Sequence, residues 1–417
     1  VNTPTLPYRY HLALFALALG AAAVSMWRGL YTYDPFHWGL MLSDAVRWCE
    51  GEVPYRELWV PYGFLTTAAQ GIAYCAAGQS LVSVLAVTVL AWSVGVYLTG
   101  RLATVLTGHR LGGVAASGLL VLLHPAVEYP WANYLAFPWL AGGALLLTSE
   151  RFDRSRRVQF AAGLSLGLAI LARDALWPAV IATIVGITLL HHLRPATTRH
   201  DARRAGATML LGAAMPMALL LGVLWVTGLL PYWYAVSVRL TQLYVTHVFP
   251  DVRGTLPFLP LLEWIGAGVR ALDPRVALLA WVDPRRVLMA LTMLACIAAV
   301  PVYLVKGTTT TRRAAEVGIL SLLLASASFH IPELFRLATG TLVGTGVLVL
   351  AARRWRALAV GLVAIAGAMW VTLPVLQGGG PVPLFPSTRS IAQSTPVQSP
   401  AMLAGMRWSV VSLRVRS

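Results

Sequence analysis

Charge is scarce in this chain. Only 12% of its 417 residues are Asp, Glu, Lys or Arg, and Lys306 is its single lysine. A soluble domain carries about 25% charged residues, so a large cytosolic enzyme is excluded. Cysteine is scarcer still, limited to Cys49, Cys75 and Cys296. Their spacing matches no zinc site. The odd count predicts no disulfide framework, and Cys75 and Cys296, set in apolar runs, read as small hydrophobes. No internal repeat and no inverted pair of broken helices is found. The apolar runs are themselves nearly free of charge, whereas a transporter places ionisable groups or broken helices near the bilayer midplane.

What is abundant is hydrocarbon, with 58% of residues hydrophobic. A membrane crossing needs about 20 apolar residues at about 1.5 Å rise each. Candidate spans lie at 10–28, 64–78 continuing into 81–99, 112–126, 134–149, 158–172, 175–192, 206–228, 287–305, 315–328, 337–352 and 356–374. The stretch 64–99 is too long for one straight span. Gly78-Gln79 divides it into a short helix dipping near the surface and a full span from about Ser80. The first run, His11 to Met26, follows Arg9 as a signal peptide would. It is trailed by Trp27, Arg28, Tyr31 and Tyr33 rather than a small-residue cleavage site, so it reads as a retained span. The expected fold is all-α: a polytopic transmembrane protein of about eleven spans, with interfacial helices in its outer loops.

The formal net charge is +16. Its basic residues stand in short clusters between apolar runs, the pattern of the positive-inside rule, not of a nucleic-acid partner. With the N-terminus in the cytoplasm, one face collects Arg9, Arg101, Arg110, Arg151, Arg154, Arg156, Arg157, Arg194, Arg199, Arg203, Arg204, Lys306, Arg312, Arg313, Arg353, Arg354 and Arg356. Of the acids only Glu150, Asp153, Asp201 and Glu316 fall on that side. The polar chemistry is therefore expected on the outer face of a cell membrane. Arg285 and Arg286 run against the rule.

Two outer loops stand out, 29–63 and 229–286. The second carries Pro231, Tyr232, Trp233, Tyr234 and Tyr244, an aromatic belt. Its stretch 256–282 is apolar but holds Glu263, Arg270 and Asp273, each costing about 2.5–3.5 kcal/mol in lipid. An interfacial or re-entrant helix is expected there. The transmembrane region runs over 1–376, and the tail 377–417, with Gly378-Gly379-Gly380 and many prolines, is expected to be extended or disordered.

The most informative segment follows the first span. It reads Tyr33-Asp34-Pro35-Phe36-His37-Trp38-Gly39 and continues to Glu52-Val53-Pro54-Tyr55-Arg56-Glu57-Leu58-Trp59 and Pro61-Tyr62-Gly63. Asp34 at the mouth of the span suits a general base, with His37 close enough to orient it or an acceptor. Asp-Pro equally suits the cap of a helix starting at Pro35. Leu40 to Cys49 reads as an amphipathic interfacial helix, with Leu40, Ala45 and Trp48 opposed to Asp44, Arg47 and Glu50.

Further ionisable groups gather at outer span ends. Arg173 and Asp174 close one span, as functional groups or as a mutual ion pair. His330, Glu333 and Arg336 are spaced by three and share a helix face. Glu128 lies in the second outer loop, as an acceptor or cation ligand or as a solvated acid. Near it, Trp131 and Tyr134 could stack on a sugar or anchor at the headgroups.

The first loop resembles that of the C-type (GT-C) membrane glycosyltransferases. Many bacterial members carry a run like Asp-x-x-His-x-Gly, then a helix, then Gly-x-x-Pro-Tyr-Arg-Asp and Tyr-Gly-Pro. This chain offers Asp34, His37, Gly39, Gly51, Pro54, Tyr55, Arg56, Glu57, Tyr62 and Gly63, departing at Glu57 for Asp and Phe64 for Pro. In plan it is also similar to protein O-mannosyltransferases and lipid A aminoarabinose transferases.

The resemblance implies an inverting transfer of a sugar from a polyprenyl-phosphate carrier to a lipid, glycan or protein acceptor. Asp34 would be the base, aided by His37. Arg56, Arg173, His330 and Arg336 are then candidates for the donor phosphate, since a phosphate leaving group needs cationic partners rather than a general acid. Glu57, Tyr62, Glu128 and Asp174 are candidates for acceptor or sugar. A divalent cation held by Asp34, His37 and Glu128 is compatible with these residue types but demanded by no spacing. The competing class is a lipid-linked sugar flippase or other membrane transporter.

Overall fold

A computed structural model describes residues 8–31, 35–123, 127, 129–193, 199–240, 242–243, 284–327, 334–355, 358–363, 395–396 and 407–408. The chain is a helical bundle: α1 Tyr8–Tyr31, α2 Pro35–Cys49, α3 Phe64–Ala76, α4 Leu81–Thr107, α5 Arg110–Leu123, α6 Ala132–Leu147 and α7 Arg156–Ala172. There follow α8 Trp177–His192, α9 Arg199–Val226, α10 Leu230–Trp233, α11 Pro284–Lys306, α12 Thr309–Ser326 and α13 Leu334–Arg354. Helix is what lipid demands, because it satisfies every backbone polar group internally. Five stretches are both long and apolar enough to cross a membrane: Tyr8–Tyr31, Leu81–Thr107, Asp174–His192, Asp201–Val226 and Val287–Lys306. Helices α5 and α6 are apolar but shorter.

The first ten expected spans each coincide with a helix, and the eleventh opens on helical residues 358–363. The break at Gly78-Gln79 is present. Both residues take left-handed backbone, with φ 95° and 53°, and separate α3 from α4. Helix α9 begins earlier than the apolar run suggested, because residues 199–205 continue it as a polar stretch of about two turns. In the long loop, α10 passes into a π-helical turn over Tyr234–Leu240. The expected helix at 256–282 lies outside the described residues. In the tail, Thr395–Pro396 pairs antiparallel with Arg407–Trp408.

Successive long helices run antiparallel, so the bundle has two distinct ends. Where α1 begins, the Tyr10 hydroxyl bonds to the Gly100 carbonyl and to Thr104 near the close of α4. At that same end the Arg353 guanidinium donates to the Thr107 carbonyl. His191 and the fully buried Glu316 meet there at 2.7 Å, and Arg312 pairs with Asp153 at 2.7 Å. The opposite end carries α2, α3 and the close of α7. The arginine-rich loops thus share one end and the first-loop motif occupies the other, the division that the charge pattern anticipates.

Small residues let backbones meet. A Cβ on Gly163 would lie 2.1 Å from the Met209 carbonyl oxygen, and one on Gly167 2.4 Å from that of Ala213. These paired contacts set α7 parallel to α9 through a Gly-x-x-x-Gly face, the close approach by which membrane helices pack without a hydrophobic driving force.

Two expectations are corrected. Cys49 and Cys75 form a disulfide, Cα to Cα 5.4 Å, joining the end of α2 to the end of α3. Cys75 lies on the last turn of a short helix that doubles back, so it is exposed rather than buried in an apolar run. Asp44 is buried at 5% exposure, together with Trp38, Met41, Leu42 and Ala45. Helix α2 is enclosed against α3 and α4 instead of presenting Asp44 to water.

Two outcomes test this packing. Gly163→Leu is expected to lower stability by about 2 kcal/mol or more, since overpacking a backbone contact forces the helices apart. Thermal unfolding in detergent measures it, and an unchanged midpoint would contradict the α7–α9 contact. Cys49→Ser is expected to cost about 3 kcal/mol from loss of loop closure. Intact mass of wild type alkylated under denaturing, non-reducing conditions should show one cysteine labelled, Cys296, and three once it is also reduced.

Candidate active site

The first loop is built around a tight turn. The Tyr55 N–H donates to the Leu58 carbonyl at 2.8 Å, and the Glu57 N–H to that of Val53 at 2.9 Å. Tyr55 takes a left-handed backbone, φ 68°, which drives its side chain inward. Its ring stacks on Phe64 at 6.5 Å and joins Val60, Leu220 and Leu224 in a small cluster at the close of α9. Burial, and then the nearby Asp174 carboxylate, hold the Tyr55 hydroxyl well above its ordinary pKa.

Arg56 and Glu57 point the other way. They form an ion pair at 2.8 Å with both side chains 45% exposed. The Val53 N–H donates to the Glu57 carboxylate at 2.8 Å, and with Arg56 it holds that group below the usual carboxylate range. Arg47 clamps the turn from α2, donating to the Glu57 carbonyl and pairing with Glu52 at 2.5 Å. Arg56 thus pairs with Glu57 at the surface, and exposed pairs of this kind add little stability.

The next residues dock onto the bundle. The Asp174 N–H donates to the Tyr62 carbonyl at 2.9 Å. At Gly63 a Cβ would sit 2.6 Å from the Ala172 carbonyl oxygen, and its φ of 150° disfavours any side chain, so only glycine fits. The Thr66 hydroxyl donates to that same Ala172 carbonyl at 2.6 Å. Three of the sequence-derived candidates, Tyr62, Arg173 and Asp174, are thus drawn to one place. Arg173 is buried at 7% exposure and caps α7 in extended backbone. Asp174 is half-buried, and its Oδ1 accepts the Ala175 N–H at 2.8 Å, starting the single 3₁₀ turn before α8.

The second loop closes over the same end. The Tyr62 and Trp131 rings lie 4.4 Å apart, centre to centre. The Gln70 amide donates to the Pro130 carbonyl at 2.6 Å and to Thr88 at 3.2 Å. Arg28 is 1% exposed and donates to the Val127 carbonyl at 2.7 Å, while the Ser25 hydroxyl accepts the Val127 N–H at 3.1 Å. Arg28, Ser25, Thr66 and Gln70 escaped the sequence reading. The signal was there, since Ser25 and Arg28 stand three apart on one face at the mouth of the first span.

Asp34, Glu128 and His330 lie outside the described residues. His37 is placed in the first turn of α2 and Arg336 in that of α13, by backbone alone. Among the described residues, Val127 is held on α1 by Ser25 and Arg28, and Trp131 meets Tyr62 of the docked loop. No group of three or more metal-ligating side chains occurs among the described residues.

No protein-family model matches the chain, and no curated protein sequence matches it. Its fold does match a solved structure. That structure is ArnT from Cupriavidus metallidurans bound to undecaprenyl phosphate, with a TM-score of 0.53 over 91% of this chain and 68% of that one. Identity is 15%, so the likeness is one of architecture. The chain shares the polytopic helical architecture of that membrane protein.

Burial of Asp44 beside this frame has a pH consequence. Its carboxyl is pushed up to about 7 by burial, partly offset by Arg47. The folded state then holds a proton that the unfolded chain releases near pH 4, so stability falls as pH rises from about 4 to about 7. Asp44→Asn should remove that loss, raising stability at pH 8 by on the order of 2 kcal/mol with little change at pH 4. Unfolding midpoints at the two pH values check it.

Proposed function

We propose that this protein is a membrane glycosyltransferase that takes a sugar from a polyprenyl-phosphate carrier and passes it, with inversion, to an acceptor on the outer face of the membrane. The observation that carries the reading is the combination of an ArnT-like fold over 91% of the chain with a first-loop motif docked at the α2–α3 end. The solved ArnT binds undecaprenyl phosphate, a lipid of the class this reading requires as donor carrier.

In this reading Asp34 takes the proton of the acceptor hydroxyl as that oxygen attacks the anomeric carbon, and His37 orients the pair. The bond to the carrier phosphate breaks with its electrons, leaving an anionic phosphate monoester. Arg173 is the best-placed described candidate to stabilise that charge, being buried beside the docked loop where a cation acts at low dielectric. His330 and Arg336 are proposed to complete the phosphate site. Tyr62, with Trp131 against it, and Asp174 and Glu128 would hold sugar or acceptor. Arg56 and Glu57 form the rim, since their mutual pairing keeps them at the surface. Any divalent cation would rest on Asp34, His37 and Glu128.

The N-terminus is assigned to the cytoplasm, because the arginine-rich loops gather where α1 begins. The disulfide at the opposite end supports this, since disulfides persist in oxidising compartments outside the cytoplasm. A flippase or other transporter is the weaker reading, because the polar groups cluster at the span ends.

The test is transfer of labelled sugar from a polyprenyl-phosphate donor in proteoliposomes. Asp34→Asn is expected to lose at least 1,000-fold in rate while keeping donor binding and the unfolding midpoint. Full transfer by that variant would remove Asp34 as base. Sugar lipid crossing sealed vesicles with no new glycosidic bond would favour the transporter.

A further inference from the structure

The bundle carries a second concave feature, far from the docked first loop and at the arginine-rich end. It is a groove of about 640 Å³ between α5, the close of α13 and helical residues 358–363. Its body is apolar: Leu111, Ala115, Gly118, Leu119 and Leu122 along α5, faced by Val349 and Leu362. From Leu111 to Leu122, α5 rises about 16 Å, close to half of a hydrocarbon core about 30 Å thick. The groove therefore spans one leaflet.

Its head is basic and held in place. Arg353 lines the groove, is exposed, and donates to the Thr107 carbonyl at the α4–α5 turn. That bond uses only part of a guanidinium fork with five N–H donors. His109 also lines the groove and is exposed. Its Nδ1 accepts the Leu111 N–H at 3.2 Å, which leaves the proton of the neutral ring on Nε2 as an outward donor. Arg110 and Arg354 follow in sequence, both exposed, and Trp355 beside them is 72% exposed, as a side chain at headgroup depth should be.

We propose that this groove is a binding site for an anionic glycerophospholipid of the cytoplasmic leaflet, its phosphate on Arg353 and His109 and one acyl chain along α5. The depth of one leaflet fits an acyl chain, and the basic head selects a net negative headgroup over a zwitterionic one. The site is separate from the transfer chemistry and does not depend on it.

Gly118 makes the test clean. It lines the groove, and a Cβ built on it meets nothing within 4 Å. Gly118→Leu should fill the groove without disturbing a packed neighbour. Purified wild-type protein, delipidated in detergent, is mixed in turn with phosphatidylglycerol and phosphatidylcholine, and adducts are counted by native mass spectrometry. Phosphatidylglycerol should bind wild type at least fivefold more than phosphatidylcholine. That excess should vanish in Gly118→Leu and in Arg353→Gln, with the unfolding midpoint of Gly118→Leu unchanged. An equal phosphatidylglycerol excess in wild type and Gly118→Leu would overturn the site. So would equal binding of phosphatidylcholine, which would reduce the groove to ordinary lipid contact.

Discussion

Everything at the candidate site depends on one close approach. Gly63 brings the first loop onto the carbonyl end of α7, where no side chain could be accommodated. There Tyr62 and Asp174 exchange a backbone hydrogen bond and Thr66 takes up the Ala172 carbonyl. The end of a transmembrane helix leaves carbonyls without intrahelical partners. Here one of those carbonyls is answered by a residue more than a hundred positions earlier in the chain. A loop that could have trailed in water is fixed to the bundle, and the candidate groups on both pieces are fixed with it.

The bilayer supplies the wider constraint. It requires helices, and close approach of those helices requires small residues, as Gly163 and Gly167 show against α9. It also sorts polar groups by depth. At one end buried polar groups hold loops together, Arg28 on Val127 and Gln70 on Pro130. At the other, arginine is abundant and the ionic contacts are structural, as in the set formed by Asp153, Arg312, Glu316 and His191. This separation leaves the molecule with two chemically distinct ends.

Much of this was legible in the sequence because lipid leaves such strong marks. Span positions, the break at Gly78, the placing of basic loops and the importance of Tyr62 and Gly63 follow from local pattern. What failed was whatever depends on three-dimensional return of the chain. Cys75 looked buried because its neighbours are apolar, yet α3 turns back and carries it to Cys49. Asp44 looked solvent-facing on a helical wheel, yet α2 is covered on that side as well. Arg28 was passed over because an arginine at a span end is usually a flank, and only the fold shows it holding the second loop.

The central claim is that the docked first loop and the close of α7 frame a polyprenyl-phosphate site. An electron cryomicroscopy structure of the protein with undecaprenyl phosphate tests it most directly. The account predicts phosphate density at the α2–α3 end, within hydrogen-bonding distance of Arg173 and on the same side as Tyr62 and Trp131. Phosphate density confined to the arginine-rich end, with Arg173 turned away from any ligand, would contradict it.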